Sequence, residues 1–469
     1  MIGFKTSSVS RHELCLGRMS LSELGELLQR YVPLKSLMPV KTRKRSWPLL
    51  VTACAFLRQV LNPGQPCREA VRASNIARLS SRRRQVSDNT TSAYCQARRR
   101  LPEYLLQQLW ESLAQRLEAV VPAVGRWHGL QVGVVDGTGL SMPDTPANQR
   151  LYPQPSEQKP GCGFPVIKLV AVFSLATGAV HAFAKGGLKK NHERTLFHQL
   201  WPSIVKAFQL VLGDRGFCSF ADMYRLKHQG VDSVFRLHQA RHVDWRKGKR
   251  LGRYDRLVAW SKPCKRPHWL SLKQFNALPK SWTVRILKFS IQARGFRTRS
   301  VTLATTLLDP MAFPAADIAE LYGLRWSVEL FLRHNKTTMR LDILRCLSPQ
   351  MIHREIHMHW MAYNLIRSLM FEAAQTRKVP VSRISFKGAI DIVRQWLPAL
   401  HAAAINPKLF RRIYCSLICI LAHDLVPFRP NRSEPRAVKR RPKKFHLLNK
   451  PRHLMGNLPH LNRPSKGSK

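Results

Sequence analysis

The stretch that decides the fold runs from Leu130 to Pro143 and reads LQVGVVDGTGLSMP. Its apolar first half predicts a buried β-strand that runs into a turn at the Asp-Gly pair. Residues 164–184, FPVIKLVAVFSLATGAVHAFA, predict two strands joined by a turn, and AFQLVLG predicts a strand that stops at Gly213. Helical segments, NHERTLFHQLWPSIV and FADMYRLKHQG, separate the later strands. An alternation of strands and helices is typical of an α/β core.

Before this core, residues 1–125 have helical spacing and predict an N-terminal helical domain that binds DNA. Residues 68–79 and 88–102 predict two short helices that flank the basic run SSRRRQVS. This layout resembles a helix-turn-helix, in which Asp88 caps the second helix and Arg98 is among its exposed residues. A helical bundle with a solvated basic face fits the same residues, so both interpretations stay open.

After the first part of the core, the sequence becomes basic and rich in strand patterns, then helical, and finally basic and rich in proline. We therefore predict six segments: an N-terminal helical DNA-binding domain (1–125), the first part of the core (126–238), a β-rich insertion (239–305), the second part of the core (306–375), a C-terminal helical region (376–428) and a basic, disordered tail (429–469).

Positive charge dominates the composition, with 78 Lys and Arg against 27 Asp and Glu and a formal net charge of +51. Such an excess favours a polyanionic partner, and its spread along the chain favours nucleic acid over a membrane surface. The longest apolar run, residues 413–422, is shorter than the roughly 18–20 residues of a membrane-spanning helix. Ten cysteines without a CxxC pair indicate reduced thiols. We expect a soluble, cytoplasmic protein without a membrane partner.

Acidic side chains are scarce, and two of them follow apolar strands of the predicted core. Asp136 follows VGVV, and Asp214 follows QLVLG. Two Mg²⁺ ions can stabilise the attacking and leaving oxygens of phosphodiester cleavage, and Mg²⁺ prefers oxygen ligands. These two aspartates, together with Glu329 on a predicted helix, would supply such ligands if the fold brings them together. Each aspartate fits a simple turn equally well.

The helix that carries Glu329 spans residues 321–336 and reads LYGLRWSVELFLRHNK. At about 100° per residue, Tyr322, Arg325, Glu329 and Lys336 fall within a sector of roughly 60°. Exposed ion pairs worth about 0.3–0.5 kcal/mol each would explain the arginine and the glutamate. A strip that faces DNA phosphates would also explain the tyrosine and the lysine.

The motif Y-x2-R-x3-E-x6-K formed by these four residues, preceded in order by VVDGTG and LGDRGF, resembles the bacterial DDE transposases of insertion-sequence family four. The segments FLRQVLNPGQPCREAV and TSAYCQARRRLP are similar to members of the same family. The resemblance extends to about residue 375.

The resemblance implies an α/β fold with a ribonuclease-H-like core, interrupted by a β-rich insertion, between an N-terminal helical domain and C-terminal helices. Asp136, Asp214 and Glu329 match the family's catalytic triad, which holds two Mg²⁺ ions, with Mn²⁺ able to substitute. Relatives that form a DNA hairpin trap a flipped base with a tryptophan late in the insertion, where this sequence reads RTRSVTLATTLL without one. Its tryptophans lie earlier, so the hairpin step is left open.

The resemblance also implies that Tyr322, Arg325 and Lys336 hold DNA phosphates near the cut. The expected reaction is Mg²⁺-dependent cleavage at transposon ends and strand transfer into target DNA. The expected partner is double-stranded DNA, both the terminal inverted repeats and the target, held by a homodimer in a synaptic complex near the bacterial nucleoid. A catalytically inactive DNA-binding inhibitor and a two-metal nuclease without joining activity are the alternatives.

Overall fold

A computed structural model describes residues 23–34, 46–80, 90–188, 193–238, 241–290, 300–404, 406–427 and 447–455. The chain forms two compact units, one from residues 1–113 and 357–426 and the other from residues 114–356 and 427–469. Within the described ranges, every helix is too short or too polar to cross a membrane.

The first unit is helical. Its helices are α1 (Glu23–Tyr31), α2 (Leu49–Leu61), α3 (Cys67–Ser80), α4 (Ser92–Arg100), α5 (Glu103–Ala119), α12 (Pro349–Arg377), α13 (Phe386–Ala403) and α14 (Pro407–His423), with a 3-10 turn at Val381–Arg383. Helices α5 and α12 extend past the boundary of this unit. Helix α2 is apolar around most of its circumference, which explains its burial.

Helices α3 and α4 match the two short helices expected in the N-terminal domain. Their small core includes Trp47 and Tyr94, whose ring centroids lie 4.8 Å apart. The intervening residues 81–89, including the expected cap Asp88, lie outside the described residues. The expected exposure of Arg98 is wrong, because its guanidinium is buried 3.9 Å above the ring of Phe56.

The second unit is built on a single large sheet. Its strands are β1 (Val132–Ser141), β2 (Val166–Ser174), β3 (Val180–Gly187), β4 (Leu210–Gly213), β5 (Asp232–Arg236), β6 (Lys249–Gly252), β7 (Asp255–Ser261), β8 (Ser281–Ser290) and β9 (Ser300–Thr305). Its helices are α6 (Pro146–Leu151), α7 (Glu193–Ala207), α8 (Phe220–His228), α9 (Leu272–Asn276), α10 (Ala315–Leu324) and α11 (Ser327–Arg333). Short turns lie at Ala123–Gly125, Arg215–Phe217, His334–Thr338 and Arg452–Leu454.

The strand order in the sheet is β3-β2-β1-β4-β5-β9-β8-β7-β6. Strands β1, β2 and β3 are antiparallel neighbours, whereas β4 runs parallel to β1 and β5 runs parallel to β4. Strand β9 pairs antiparallel with β5, so the strands of the expected insertion extend the same sheet. Apolar residues of α7, α8 and the sheet share one hydrophobic core. The predicted α/β class is confirmed.

Strand β1 is longer than the sequence predicts. The expected turn at the Asp-Gly pair is wrong, because β1 passes through Asp136 and ends only at Ser141. Antiparallel pairing with β2 accounts for the difference, since Asp136 lies opposite Ala171 and Ser141 lies opposite Val166. Continuous backbone pairing outweighs the local turn preference of Asp-Gly.

The single helix expected over residues 321–336 is also wrong. Helix α10 ends at Leu324, α11 begins at Ser327, and a π-helical turn follows at His334–Thr338. Hydrogen bonds to the third preceding residue tighten the backbone at the break, from the N–H of Arg325 to Tyr322 and from the N–H of Val328 to Arg325. A constant 100° per residue therefore does not give the direction of Lys336.

The tail is ordered in one part. Residues 447–455 are described, and the Arg452 guanidinium forms an ion pair with Asp144 and donates to the carbonyl of Gly161. Disorder predicted from composition does not hold for this stretch, because a specific acidic partner outweighs the low hydrophobicity. The other residues of the predicted tail after 429 lie outside the described residues.

Candidate active site

The two aspartates lie at the same end of the paired stretch of two neighbouring parallel strands, Asp136 within β1 and Asp214 directly after β4. Val134 of β1 is in register with Leu212 of β4. Asp136 lies two residues after Val134, and Asp214 lies two residues after Leu212. The two aspartates are therefore at the same height along the neighbouring strands. The parallel register brings together the two residues that the sequence singles out.

The carboxyl of Asp136 is half-buried and has acidic neighbours. The backbone N–H of Gly137 donates to its Oδ1 at 2.8 Å. The pKa of Asp136 is raised to about 6. Burial is the largest cause and the charges of Glu329 and Asp214 act in the same direction, whereas the Gly137 N–H and Arg325 lower it. Glu329 and Asp214 are therefore close enough to Asp136 to affect its ionisation.

Arg325 and Glu329 lie beside the aspartates despite the break between α10 and α11. Nη2 of Arg325 lies 3.7 Å from Oε1 of Glu329. The Arg325 side chain is 10% exposed and that of Glu329 is 61% exposed. The guanidinium also lies 5.6 Å from the ring centroid of Tyr322. A buried cation is thus held next to an exposed carboxylate.

Tyr322 does not lie on an exposed strip. It is 2% exposed, and its hydroxyl donates to the carbonyl of Gly213 at 3.4 Å. Burial raises the pKa of Tyr322, so the hydroxyl stays protonated at neutral pH. The contact anchors α10 against the end of β4, directly before Asp214.

Lys336 lies in the π-helical turn and is half-buried. Its predicted contact with DNA stays a prediction, as do the roles of Tyr322 and Arg325. Glu193 lies near the residue after Asp136, on the opposite face of β1, because successive side chains of a strand point to opposite faces. A Cβ added at Gly137 would lie 2.9 Å from the Glu193 carboxyl, so glycine allows this carboxylate to approach the residue after Asp136.

This geometry coincides with a match to a known family. The family described as Transposase DDE domain matches residues 127–365, which are 239 of the 469 residues and include all three acidic residues. The chain belongs to the DDE transposase family. It is a DNA transposase, an enzyme of metal-dependent DNA cleavage and strand transfer, and the predicted family and activity are confirmed.

One curated relative is similar to this transposase over nearly its whole length. Transposase InsG for insertion sequence element IS4, from Escherichia coli (strain K12), is 28% identical over 453 residues, covering 95% of this chain and 97% of the relative. Among solved structures, the cryo-EM structure of the piggyBac transposase synaptic complex with hairpin DNA aligns with 88% of this chain and 87% of that chain, at 10% identity and a TM-score of 0.42. That score is too low to establish a common fold.

The donor set of the transposase at this edge fits a divalent cation. Asp136, Asp214 and Glu329 offer carboxylate oxygens, which hard cations prefer. The pKa of Asp136 is raised chiefly by burial, and a bound cation would offset that effect by favouring the ionised carboxylate. Among the described residues, no three His, Cys, Asp or Glu side chains are grouped closely enough to hold a metal ion.

Cationic side chains line two cavities that begin next to Asp214. One cavity has a volume of about 550 Å³, and its charged or titratable lining residues are Arg194, Arg215, His238, Arg241 and Lys265. The other, of about 280 Å³, shares three of these residues and adds Arg236, His242 and Lys288. The sequence signal was present in LGDRGF, where Arg215 directly follows the aspartate. These residues form a cationic surface beside the site.

The tryptophans of the 239–305 segment are packed in the fold. Trp260 lies opposite Trp282 across β7 and β8 and is 8% exposed. Trp269 lies against the His198 ring, with 3.9 Å between centroids. Trp260 is thus a core residue, and Trp269 and Trp282 pack against the same core.

Histidines on α12 have partners of their own. In the second unit, Nε2 of His353 hydrogen-bonds to the hydroxyl of Tyr152 at 2.7 Å, and the Glu355 carboxylate accepts the backbone N–H of Arg345. In the first unit, the indole N–H of Trp110 donates to Nδ1 of His357 at 2.9 Å. These contacts give the histidine-rich sequence a structural role.

Proposed function

We propose that this transposase holds two Mg²⁺ ions with Asp136, Asp214 and Glu329, with Mn²⁺ able to substitute, and cleaves DNA at transposon ends before strand transfer. The observation that carries the proposal is the parallel register of β1 and β4, which leaves both aspartates at one level beside Arg325 and Glu329. When bound, the ions would polarise the phosphate and stabilise charge on the attacking and leaving oxygens.

A ribonuclease-H-like core is the finer fold that we infer for β1 to β5. The supporting features are the order β3-β2-β1-β4-β5, three antiparallel strands first, and two further strands parallel to β1. In this arrangement, Asp136 in β1 and Asp214 after β4 lie at the same end of neighbouring strands. Helix α11 supplies Glu329 as the third acidic residue. The order of the three acidic residues along the chain then follows from the topology.

The chain's own residues prepare the site in two ways. Burial of Asp136 keeps its carboxyl partly dry, so a cation gains more from it than from an exposed carboxylate. Arg325, which is buried and packed near Tyr322, is oriented before DNA arrives, and a guanidinium can bind a phosphate through two N–H groups. Lys336 would supply a further cation.

Double-stranded DNA would follow the cationic surface beside Asp214. Arg215, Arg241 and Lys265 line the larger cavity and would bind backbone phosphates without reading sequence. We assign recognition of the terminal inverted repeats to the N-terminal helices, and a homodimer to the synapsis of two ends. The bacterial cytoplasm, with the nucleoid as its DNA, is the compartment that this function requires.

The decisive experiment supplies the full-length protein with labelled end DNA and target DNA in Mg²⁺, in Mn²⁺ and in EDTA. We expect cleavage and joined products with either metal and neither with EDTA. With either metal, ends that have been cut beforehand should also be joined to target DNA. Cleavage without any joining would identify a nuclease, and binding without cleavage would identify an inactive DNA-binding inhibitor; either result contradicts the proposal.

A further inference from the structure

Helices α3 and α4 hold two cysteines in side-chain contact. Cys67 is the first residue of α3 and Cys95 lies in α4. The two thiol groups hydrogen-bond to each other. Both side chains are only partly buried, so a small solute can reach them. None of the catalytic roles proposed above uses either residue.

The surroundings of Cys67 favour its thiolate. Nη1 of Arg98 donates to the Cys67 sulfur at 3.1 Å, and Nε2 of Gln59 donates at 3.6 Å. Arg98 is buried over Phe56, and the Gln59 carbonyl accepts the Tyr94 hydroxyl at 3.2 Å, so both donors are held in place. The position at the N-terminus of a helix adds a favourable dipole.

The pKa values of the two cysteines are therefore shifted in opposite directions. The hydrogen bond from Cys95, the charge of Arg98 and the Gln59 contact lower the pKa of Cys67 to about 5 against the effect of burial. The pKa of Cys95 is raised, chiefly by its hydrogen bond to Cys67. At neutral pH the pair holds one thiolate and one thiol, which are the states required of an attacking and a resolving cysteine.

We propose that Cys67 and Cys95 form a peroxide-reactive modification site that closes to a disulfide between α3 and α4. The Cys67 thiolate attacks one peroxide oxygen, the S–O bond forms, the O–O bond breaks, and hydroxide leaves. The Cys95 sulfur then attacks the sulfenic acid, the S–S bond forms, and the S–O bond breaks. Its proton leaves with the departing hydroxide as water. Peroxide is reduced by two electrons, and the two sulfurs are oxidised by two.

Closure would change the helices that the sequence assigns to DNA binding. The disulfide links α3 to α4 covalently, and it removes the negative charge that Arg98 faces. Reduction by a dithiol would restore the original pair. The inference does not depend on the metal site, because no residue is shared with it.

The first test follows iodoacetamide labelling of the reduced full-length protein, peptide by peptide, by mass spectrometry. A low pKa lowers the nucleophilicity of a thiolate while raising its population, so the pH profile is more informative than a single rate. We expect a nearly constant rate at Cys67 from pH 6 to pH 8. A labelling rate at Cys67 that rises about tenfold per pH unit over this range would contradict the proposal.

The second test adds hydrogen peroxide and searches for the disulfide-linked peptides. We expect a Cys67–Cys95 link in the wild type and in the matched control Cys264→Ser. Cys95→Ser should stop at a sulfenic acid on Cys67 that dimedone captures, and Cys67→Ser should leave Cys95 unmodified. Dimedone capture at Cys95 in Cys67→Ser, or oxidation of Cys264 before any Cys67–Cys95 link forms, would overturn the assignment.

Discussion

Two partly buried aspartates of the same sheet have opposite electrostatic surroundings. Asp255 of β7 receives both Nε and Nη2 of Arg285, at 2.9 and 2.6 Å, and the arginine is fully buried. Asp136 of β1 receives one backbone N–H and has two acidic side chains nearby. The first carboxylate is neutralised within the fold. The second has one cation nearby, Arg325, together with two acidic neighbours and a pKa raised by burial, and such a perturbed carboxyl is typical of a functional site.

The Asp255 pair also has a clear structural purpose. Nη1 of Arg285 donates to the carbonyl of Phe313 at 2.7 Å, directly before α10. The strands β7 and β8 are thereby joined to the segment that leads to Tyr322 and Glu329. A fully paired charge fixes geometry, and an underpaired charge attracts a ligand. The same substitution should therefore have different consequences at the two places.

The largest expected effect is on catalysis. Asp136→Asn, Asp214→Asn and Glu329→Gln should each reduce cleavage of end DNA in Mg²⁺ by more than about a hundredfold, since even outer partners of metal ligands cost about 10–100-fold. DNA binding, measured by gel shift, should remain. The matched control is Glu320→Gln, an exposed carboxylate on α10. Wild-type cleavage by any of the three variants would remove that residue from the proposed site.

The next effect is on stability at the paired aspartate. Asp255→Asn should lower the free energy of unfolding by about 3–5 kcal/mol, because the substitution leaves the buried Arg285 without its charged partner. Denaturant unfolding followed by tryptophan fluorescence would measure the loss. A change below about 1 kcal/mol would mean that the pair is not the constraint that the contacts indicate.

The same substitution at Asp136 should act in the opposite direction. The folded pKa of about 6 lies above the ordinary 3.8, so stability from proton binding is complete below pH 3.8 and is lost as the pH rises to 6. That rise corresponds to about 3 kcal/mol at most. In EDTA, Asp136→Asn should raise the free energy of unfolding by about 1–3 kcal/mol at pH 7.5 and change it little at pH 4. A destabilised variant at pH 7.5 would contradict the raised pKa of the buried Asp136 carboxyl.

A smaller effect should come from the metal itself. Mg²⁺ at ten times its dissociation constant should stabilise the wild type by about 1.4 kcal/mol if it binds only the folded chain. Asp136→Asn should lose most of this gain. Asp255 lies outside the proposed site, so Asp255→Asn should keep the gain although its melting temperature is lower. Thermal melts with and without Mg²⁺ would measure both. Equal gains in wild type and Asp136→Asn would exclude Asp136 as a ligand.

The smallest effect separates catalysis from stability. Glu329 is largely exposed and pairs with Arg325 at 3.7 Å, a contact worth about 0.5 kcal/mol or less. Glu329→Gln should therefore change the free energy of unfolding by no more than this amount, while cleavage is lost. A larger loss of stability, measured by the same denaturant unfolding, would show that Glu329 is structural.

The local parts of this fold could be predicted from sequence. Short periodic patterns in the sequence predict the β2–β3 pair, α7 and β4, and the partner elements of each lie nearby in the chain. Asp136 and Asp214 were singled out by their positions after apolar runs, but only the parallel pairing of β1 and β4 brings them to one level. The family resemblance rested on the same segments, and the comparisons confirmed it.

What the sequence could not show depends on distant partners. The extension of β1 past Asp136 needs β2 beside it, and the burial of Tyr322 needs the end of β4. The break between α10 and α11 is not visible in the apolar pattern, because the helical spacing of Leu321, Leu324, Val328 and Phe331 continues across it. Arg98 looks like a surface cation until Phe56 and Cys67 are placed around it. The approach of Glu193 to Gly137 likewise involves two segments that are far apart in the sequence.

The pairing of β5 with β9 has a consequence for synthesis of the chain. Val234 of β5 pairs with Thr305 of β9. Strand β5 therefore cannot pair with β9 until the ribosome has also made β6, β7 and β8. Glu329 is made later still. In a growing polypeptide, Asp136 and Asp214 are therefore made before the partner strand of β5 and before Glu329, so the proposed site is completed only late in synthesis.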